Sequence, residues 1–296
     1  MKNKTLRLGS RRSPLAVHQA NTILHCLKAS NRFDKLELVF IDSEGDEKPN
    51  LPLNQIGGKG VFTKRLEYAL LEHKIDLAIH SFKDLTSSLS PLTQLVGFYC
   101  EGEIEDCVAG HIPFEEMRQI ATSSLRRKLF LRHHYPHLDI VDIRGNVGSR
   151  LNKCQHKGMG VMLSKVGLTR LGLQDYIKTV FPAHLSIPAP GQGVIAVQAR
   201  QGCDVLNDVQ ASLVHSKEWM YFCYYELMKA LEFNCQIPLG AHLYAADKKE
   251  YQLQLCCGSF NLQHKKNWLY SIDPDNYSDV LKGIAVEVQA WLKNPI

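Results

Sequence analysis

Apolar positions along the first two hundred residues follow two alternating rhythms. Short, mainly apolar stretches at 6–8, 36–41, 75–79, 138–143 and 160–163 are too brief for helices, so each predicts a strand. Between them the spacing becomes helical. Ala16, Ala20, Ile23, Leu24 and Leu27 share one helix face, and Phe62, Leu66, Ala69 and Leu70 share another. Ser13 and Pro14 supply an N-cap and a first helical residue for the earlier of the two. An apolar run at 95–99 and the acidic stretch 101–106 close a first unit. A second unit repeats the opening: Ile120-Ala121 leads into a hydroxyl-rich helix start at 122–128, and 138–143 into another at 144–150. The rigid turn 188–193 then runs into 194–197, which predicts a crossing back to the first unit. With 96–99 as the outward crossing, two α/β lobes joined by a hinge are expected. After about residue 212 the rhythm changes. A helix over 218–232 carrying Trp219, Phe222, Cys223 and Leu227, strands near 253–257 and 268–272, and a closing helix through Val280, Leu281, Ile284, Val288 and Trp291 predict a small α+β domain. The expected division is 1–96 with 193–212, then 97–192, then 213–296.

A chain of 296 residues fits two or three domains, and 45% hydrophobic with 22% charged residues is ordinary globular composition. No apolar run approaches the roughly 18 residues of a membrane span, and the N-terminus carries no signal-peptide core, so a cytoplasmic protein without membrane attachment is expected. Nine cysteines without a Cys-x-x-Cys pair read as reduced thiols, not as a disulfide framework or a zinc site. The net charge of +5 favours an anionic partner. No basic stripe interleaved with aromatics points to nucleic acid.

Candidate chemistry gathers at strand ends. After 75–79 the polarity changes abruptly to His80, Ser81, Lys83 and Asp84. Residues beyond the carboxyl end of such a strand line the ligand crevice of an open α/β sheet, so Asp84 is placed to face a ligand. A Lys83–Asp84 ion pair closing a surface turn is the competing local reading. Arg11 and Arg12 stand just ahead of a helix N-terminus, where backbone N–H groups favour an anion. Arg126 and Arg127 lie in a first helical turn, where cations oppose the dipole and make better ligand hooks than stabilisers. Arg144 and Arg150 flank another helix start, and Lys165 and Arg170 follow 160–163. Together these describe a cleft gripping several carboxylates or phosphates. The polar, Pro-containing stretch 42–53 leads through Gln55 and Ile56 into Gly57-Gly58-Lys59-Gly60, which suits a lid and lacks the Walker A spacing. Cys235, beside Pro238 and Gly240, is either a small hydrophobe or a shaped, accessible thiol. His133, His134 and His137 read as a solvated helix end, and no metal site is expected.

Taken in order, these segments resemble the porphobilinogen deaminase (hydroxymethylbilane synthase) family over nearly the whole chain. The shared residues include Arg11-x-Ser13-Pro14-Leu15-Ala16 with Gln19, Gly45-Asp46, Gly57-Gly58-Lys59-Gly60-x-Phe62 and His80-Ser81-x-Lys83-Asp84. Thr122-Ser123-Ser124-x-Arg126-Arg127, Arg144-Gly145-Asn146-Val147, Arg150-Leu151, Gly167-Leu168-x-Arg170-Leu171-Gly172, Pro188-Ala189-x-Gly191-Gln192-Gly193 and Cys235-x-x-Pro238-x-Gly240 follow. The resemblance implies two type II periplasmic-binding-protein-like α/β lobes plus a small α+β domain. It implies a transferase that condenses four porphobilinogen units head to tail, with loss of ammonia, and releases hydroxymethylbilane in haem biosynthesis. It also implies a dipyrromethane cofactor bound covalently through Cys235. By the same resemblance Asp84 is catalytic. Lys83, Ser81, Thr122, Ser123, Ser124, Arg126, Arg127 and Arg144 hold the cofactor, while Arg11, Ser13, Gln19, Arg144, Arg150 and Lys59 hold substrate. A cytoplasmic monomer is implied. The chain departs from the family pattern at Thr86, Gln198, Cys223-Tyr224-Tyr225, Phe233-Asn234 and in 101–106. A slow or inactive relative acting as a small-anion-binding protein is therefore the alternative.

Overall fold

The computed structural model describes residues 5–42, 63–155, 158–213, 218–233, 237–247 and 250–295. They fall into two compact units: described residues within 1–101 and 193–218, and those within 102–192 and 219–295.

The first unit opens with strand β1 (Thr5–Ser10), helix α1 (Pro14–Ala29) and strand β2 (Lys35–Phe40). Helix α2 (Lys64–Leu71) and strands β3 (Leu77–Ser81) and β4 (Thr93–Cys100) follow. The second unit contributes β5 (Asp106–Ala109), β6 (Gln119–Ala121), α3 (Leu125–His134) and β7 (Asp139–Val141). It continues through α4 (Val147–Cys154), β8 (Met159–Ser164), α5 (Lys165–Thr169) and β9 (Ile177–Phe181). The chain then returns to the first unit as β10 (Val194–Arg200) and α6 (Leu206–Leu213). Helix α7 (Glu218–Ala230), strands β11 (Leu239–Ala245), β12 (Tyr251–Gly258) and β13 (Lys265–Ile272), and helix α8 (Tyr277–Lys293) follow, nearly all of them in the second unit.

The first sheet runs β2-β1-β3-β10-β4 and the second β7-β6-β8-β5-β9. In each, three parallel strands meet one antiparallel strand, β10 or β5, which is the strand the chain forms on arriving from the other unit. Sidedness follows the strand period of two. Leu77 and Ile79 of β3 pack in one core with Ala20, Ile23, Leu24 and Leu27 of α1, while Ala78 packs with Leu66, Ala69 and Leu70 of α2. In the second unit Val108 joins Phe130 and Leu131 of α3, and Cys107 and Ala109 join Leu151 and Cys154 of α4. The antiparallel sheet β11-β12-β13 lies within the second unit, where a Cβ on Gly258 would meet Leu129 of α3 at 2.8 Å. Among the described residues no helix is long and apolar enough to cross a membrane.

Three segments differ from the sequence expectation. Strand β11, opening at Leu239, has no counterpart among the expected elements; Gly240 lies against Ile187 and Ala241 N donates to Pro188 O at 2.8 Å. The strand expected over 138–143 is only Asp139–Val141, since Ile143 pairs with the Ser123 side chain instead of a strand. The helix expected to reach 232 ends at Ala230, where Glu232 takes φ 47°.

Candidate functional site

In the first unit the expected chemistry lies at the end of β3. Ser81 Oγ donates to Gln19 Oε1 at 3.0 Å, bringing two expected site residues together across β3 and α1. The next three residues form a single 3-10 turn, Phe82–Asp84. Phe82 is wholly buried against Phe98, with ring centroids 5.6 Å apart, so the turn has a fixed anchor. Asp84 is exposed. Ser13 caps α1, its Oγ accepting from Ala16 N at 3.4 Å, and Arg11 precedes it, half-buried.

Just beyond the turn's strand lies a buried polar network. His80 Nε2 and Gln198 Oε1 are 3.0 Å apart, and Gln198 Nε2 donates to Glu67 Oε1 at 2.9 Å. Burial, together with the Arg11 charge, pushes the His80 imidazole down to about 4 against the help of Gln198.

In the second unit the turn from β6 to α3 is held by its own hydroxyls. Thr122 Oγ1 accepts from Ser124 N at 3.3 Å, and Ser124 Oγ caps α3 by accepting from Arg127 N at 3.5 Å. Ser123 Oγ donates to Ile143 O at 2.9 Å and accepts from Ile143 N at 3.1 Å. The expectation of three ligand donors is narrowed here: the Ser123 proton is taken, while the Thr122 and Ser124 hydroxyls act as acceptors and keep a hydrogen to give.

The same holds for the expected guanidinium forks. Arg126 and Arg127 are buried and converge on Asp106, which is 0% exposed. Arg126 Nη1 contacts Asp106 Oδ2 and donates to Ile187 O at 2.8 Å. Arg127 reaches Asp106 Oδ1 through Nε at 2.9 Å and Nη2 at 2.7 Å. Ser186 Oγ and Gln192 Nε2 each add a bond to the same carboxylate at 3.0 Å. Burial would push the Asp106 carboxyl up, yet the charges of Arg126 and Arg127 outweigh it and hold the group well below the usual carboxylate range. Two cations against one anion leave one positive charge in excess.

Arg144 stands in the turn before α4, which Asn146 caps by accepting from Ser149 N at 2.8 Å. Its Nη1 is buried without a hydrogen-bond partner among the described residues. Arg150 folds back, Nε donating to Gly145 O at 2.6 Å, which suits the φ of 119° at that glycine. Cys235, Lys59, Gly45-Asp46 and the 57–62 segment lie outside the described residues. His134 stacks on Phe130 and His133 bonds its own helix at Leu129 O. Among the described residues no His, Cys, Asp and Glu group is assembled to hold a metal.

Sequence reasoning missed Asp106 as the buried partner of the paired arginines, and Ser186 and Gln192 as the side chains that bond its carboxylate. The available signal was an aspartate opening the apolar run Cys107-Val108-Ala109. It also missed the pairing of Gln198 with His80.

Solved structures give only distant likenesses. The Bordetella pertussis BvgS VFT2 domain is 11% identical with a TM-score of 0.43, covering 75% of this chain and 91% of its own. The methionine binding protein MetQ is 11% identical with a TM-score of 0.45, covering 75% and 94%. The Salmonella typhimurium periplasmic binding protein STM4351 is 14% identical with a TM-score of 0.38, covering 71% and 92%. Sequence is more informative than shape here. The family model described as "Porphobilinogen deaminase, dipyromethane cofactor binding domain" matches residues 6–208, which include Asp84, the paired arginines and Arg144, and the chain thus belongs to the porphobilinogen deaminase family.

Proposed function

We propose that the chain is the transferase that joins four porphobilinogen units head to tail, releasing ammonia at each addition, and frees hydroxymethylbilane. In this reading a dipyrromethane group is carried as a thioether on Cys235, and the protein works as a cytoplasmic monomer on a small-molecule substrate. The observation that carries the reading is the charge balance of the second unit: a buried excess of one positive charge at Arg126, Arg127 and Asp106, with a buried Arg144 Nη1 lacking a partner. A ligand with acetate and propionate arms fits that excess of positive charge, and Arg144 Nη1 has hydrogens left to give a carboxylate. Arg126, Arg127 and Arg144, with Thr122, Ser124 and Lys83, would hold the group. When bound, it supplies the nucleophilic pyrrole carbon that substrate joins.

The chain's own residues then have distinct tasks. Arg11, Arg150 and Lys59 bind substrate carboxylates. Asp84, mounted on the turn that Phe82 anchors, accepts a hydrogen bond from the substrate pyrrole N–H. Its charge offsets the positive charge gathering on that ring as ammonia departs. Gln19 holds Ser81 in the orientation in which it meets a ligand.

Incubation with porphobilinogen, oxidation and measurement of uroporphyrin absorbance tests the activity. Asp84→Asn is expected to lower turnover by about 100-fold or more while substrate still binds. A near-normal rate in that variant removes Asp84 from this role. A protein that only binds anions would be stabilised by porphobilinogen and release no ammonia.

A further inference from the structure

The network behind Asp84 has an order that follows from donors and acceptors alone. Glu67 Oε1 receives Ser90 N at 2.8 Å and Gln198 Nε2 at 2.9 Å, and lies 3.1 Å from Thr93 Oγ1. A carboxylate accepts, so Gln198 must turn its amide nitrogen toward Glu67. The same nitrogen gives its second hydrogen to Thr93 Oγ1 at 2.8 Å, leaving the Thr93 proton for Ser90 O at 3.0 Å or Glu67 Oε1 at 3.1 Å. Gln198 Oε1 therefore faces His80, and His80 Nε2 must carry a hydrogen to meet it at 3.0 Å. Burial keeps the ring neutral, so its Nδ1 is bare. At 4%, 1% and 5% exposure, His80, Gln198 and Thr93 are too enclosed for water to substitute for these bonds.

The network also has a defined reach. His80 sits in β3 immediately before the turn that carries Lys83 and Asp84, while Ser90 and Thr93 sit where that loop ends and β4 begins. Both ends of the 82–92 segment are thus tied to one half-buried carboxylate on α2 and one buried amide on β10.

We infer that Glu67, Gln198 and His80 are positioning residues for Asp84: they fix His80 as the Nε2–H tautomer and clamp the loop bearing the carboxylate. The role assigned to Asp84 rests on the functional reading above; the clamp itself does not. It can be tested in the full chain with 15N-labelled histidine. The wild type is expected to show His80 as a neutral Nε2–H ring, assigned by its loss in His80→Gln, and Gln198→Met is expected to show mixed tautomers. In Glu67→Gln the Ser90 amide should exchange with solvent about ten-fold faster, with the α1 amides unchanged. In both variants kcat should fall about ten-fold with KM within about two-fold, because misplacement affects the reacting geometry more than binding. An Nδ1–H ring or an imidazolium in the wild type, an unaltered tautomer in Gln198→Met, or faster exchange spread evenly over the first unit would overturn the inference. So would variants that turn over at the wild-type rate. A wild-type protein without any turnover overturns the function proposed above and not the clamp, which the tautomer and exchange readouts decide by themselves.

Discussion

Asp106 sits where two opposing terms are both large. Removing a carboxylate wholly from water is costly, and the group stays ionised only because two guanidiniums lie against it. The arginines are equally dependent on it, since burying either without a partner would be prohibitive. Asp106→Asn is therefore expected to destabilise the protein by about 3–5 kcal/mol, read as a lowered urea midpoint. Its pH dependence has a definite sign. The folded value lies below the unfolded one, so the contribution is complete above the unfolded aspartate value of about 4 and is lost as pH falls through the folded value. The difference between wild type and variant should be flat from about pH 5 to 8 and shrink only in stronger acid. At this scale the sequence was half legible. A pair of arginines in a first helical turn is odd enough to be noticed locally, but their partner stands 20 residues away at the head of a strand and reads there as the end of an acidic stretch.

Element boundaries divide according to whether their cause is local. The caps at Ser13 and in the hydroxyl-rich 122–124 turn were readable because each bonds a backbone N–H within three residues, as the cap Asn146 also does. The short strands β5, β9 and β11 were not, because partners distant in sequence define them. The end of α7 lies between these cases. Glu232 N donates to Lys229 O and Phe233 N to Met228 O, the two bonds of a Schellman cap, with Glu232 in the left-handed region at φ 47° and Phe233 buried after it. The positive φ thus falls one residue before the Phe233-Asn234 departure, and the buried phenylalanine occupies the position at which such a cap takes an apolar residue. Glutamate is a poor occupant of that conformation, so Glu232→Gly is expected to stabilise the protein by up to about 1 kcal/mol, seen as a raised melting temperature. Gly240 makes the opposite demand. A Cβ there would lie 2.6 Å from Ile187 O, the carbonyl that also accepts from Arg126 Nη1. Gly240→Ala should lower the urea midpoint by the equivalent of about 1–3 kcal/mol and disturb the arginine pair as well. A midpoint unchanged in that variant would mean that β11 can shift away from the 186–188 segment without loss.

At the scale of the whole molecule, the two five-stranded sheets share one plan although their sequences share little more than a rhythm. The alternation of strand and helix was enough to read α/β units, and the ordered motifs were enough to read the family. What neither could supply is how each motif is engaged. The Thr122–Ser124 hydroxyls shape a turn, and Arg126 and Arg127 balance an internal carboxylate before any ligand is considered. The cysteines show the same contrast between composition and placement. Nine occur in the sequence, and all eight that lie among the described residues are free thiols. Burial pushes Cys107, Cys223 and Cys257 up to about 12 and Cys256 up to about 11, so none of these four is an effective nucleophile near neutral pH. The proposed thioether on Cys235 then has a stoichiometric consequence independent of turnover. In denaturant, where burial no longer protects any thiol, protein purified from cells that make porphobilinogen should consume eight equivalents of a thiol reagent, one fewer than its nine cysteines. Peptide mapping should place the unreactive residue at position 235. Nine equivalents would remove the covalent attachment, and eight with the blocked residue elsewhere would move it to another cysteine.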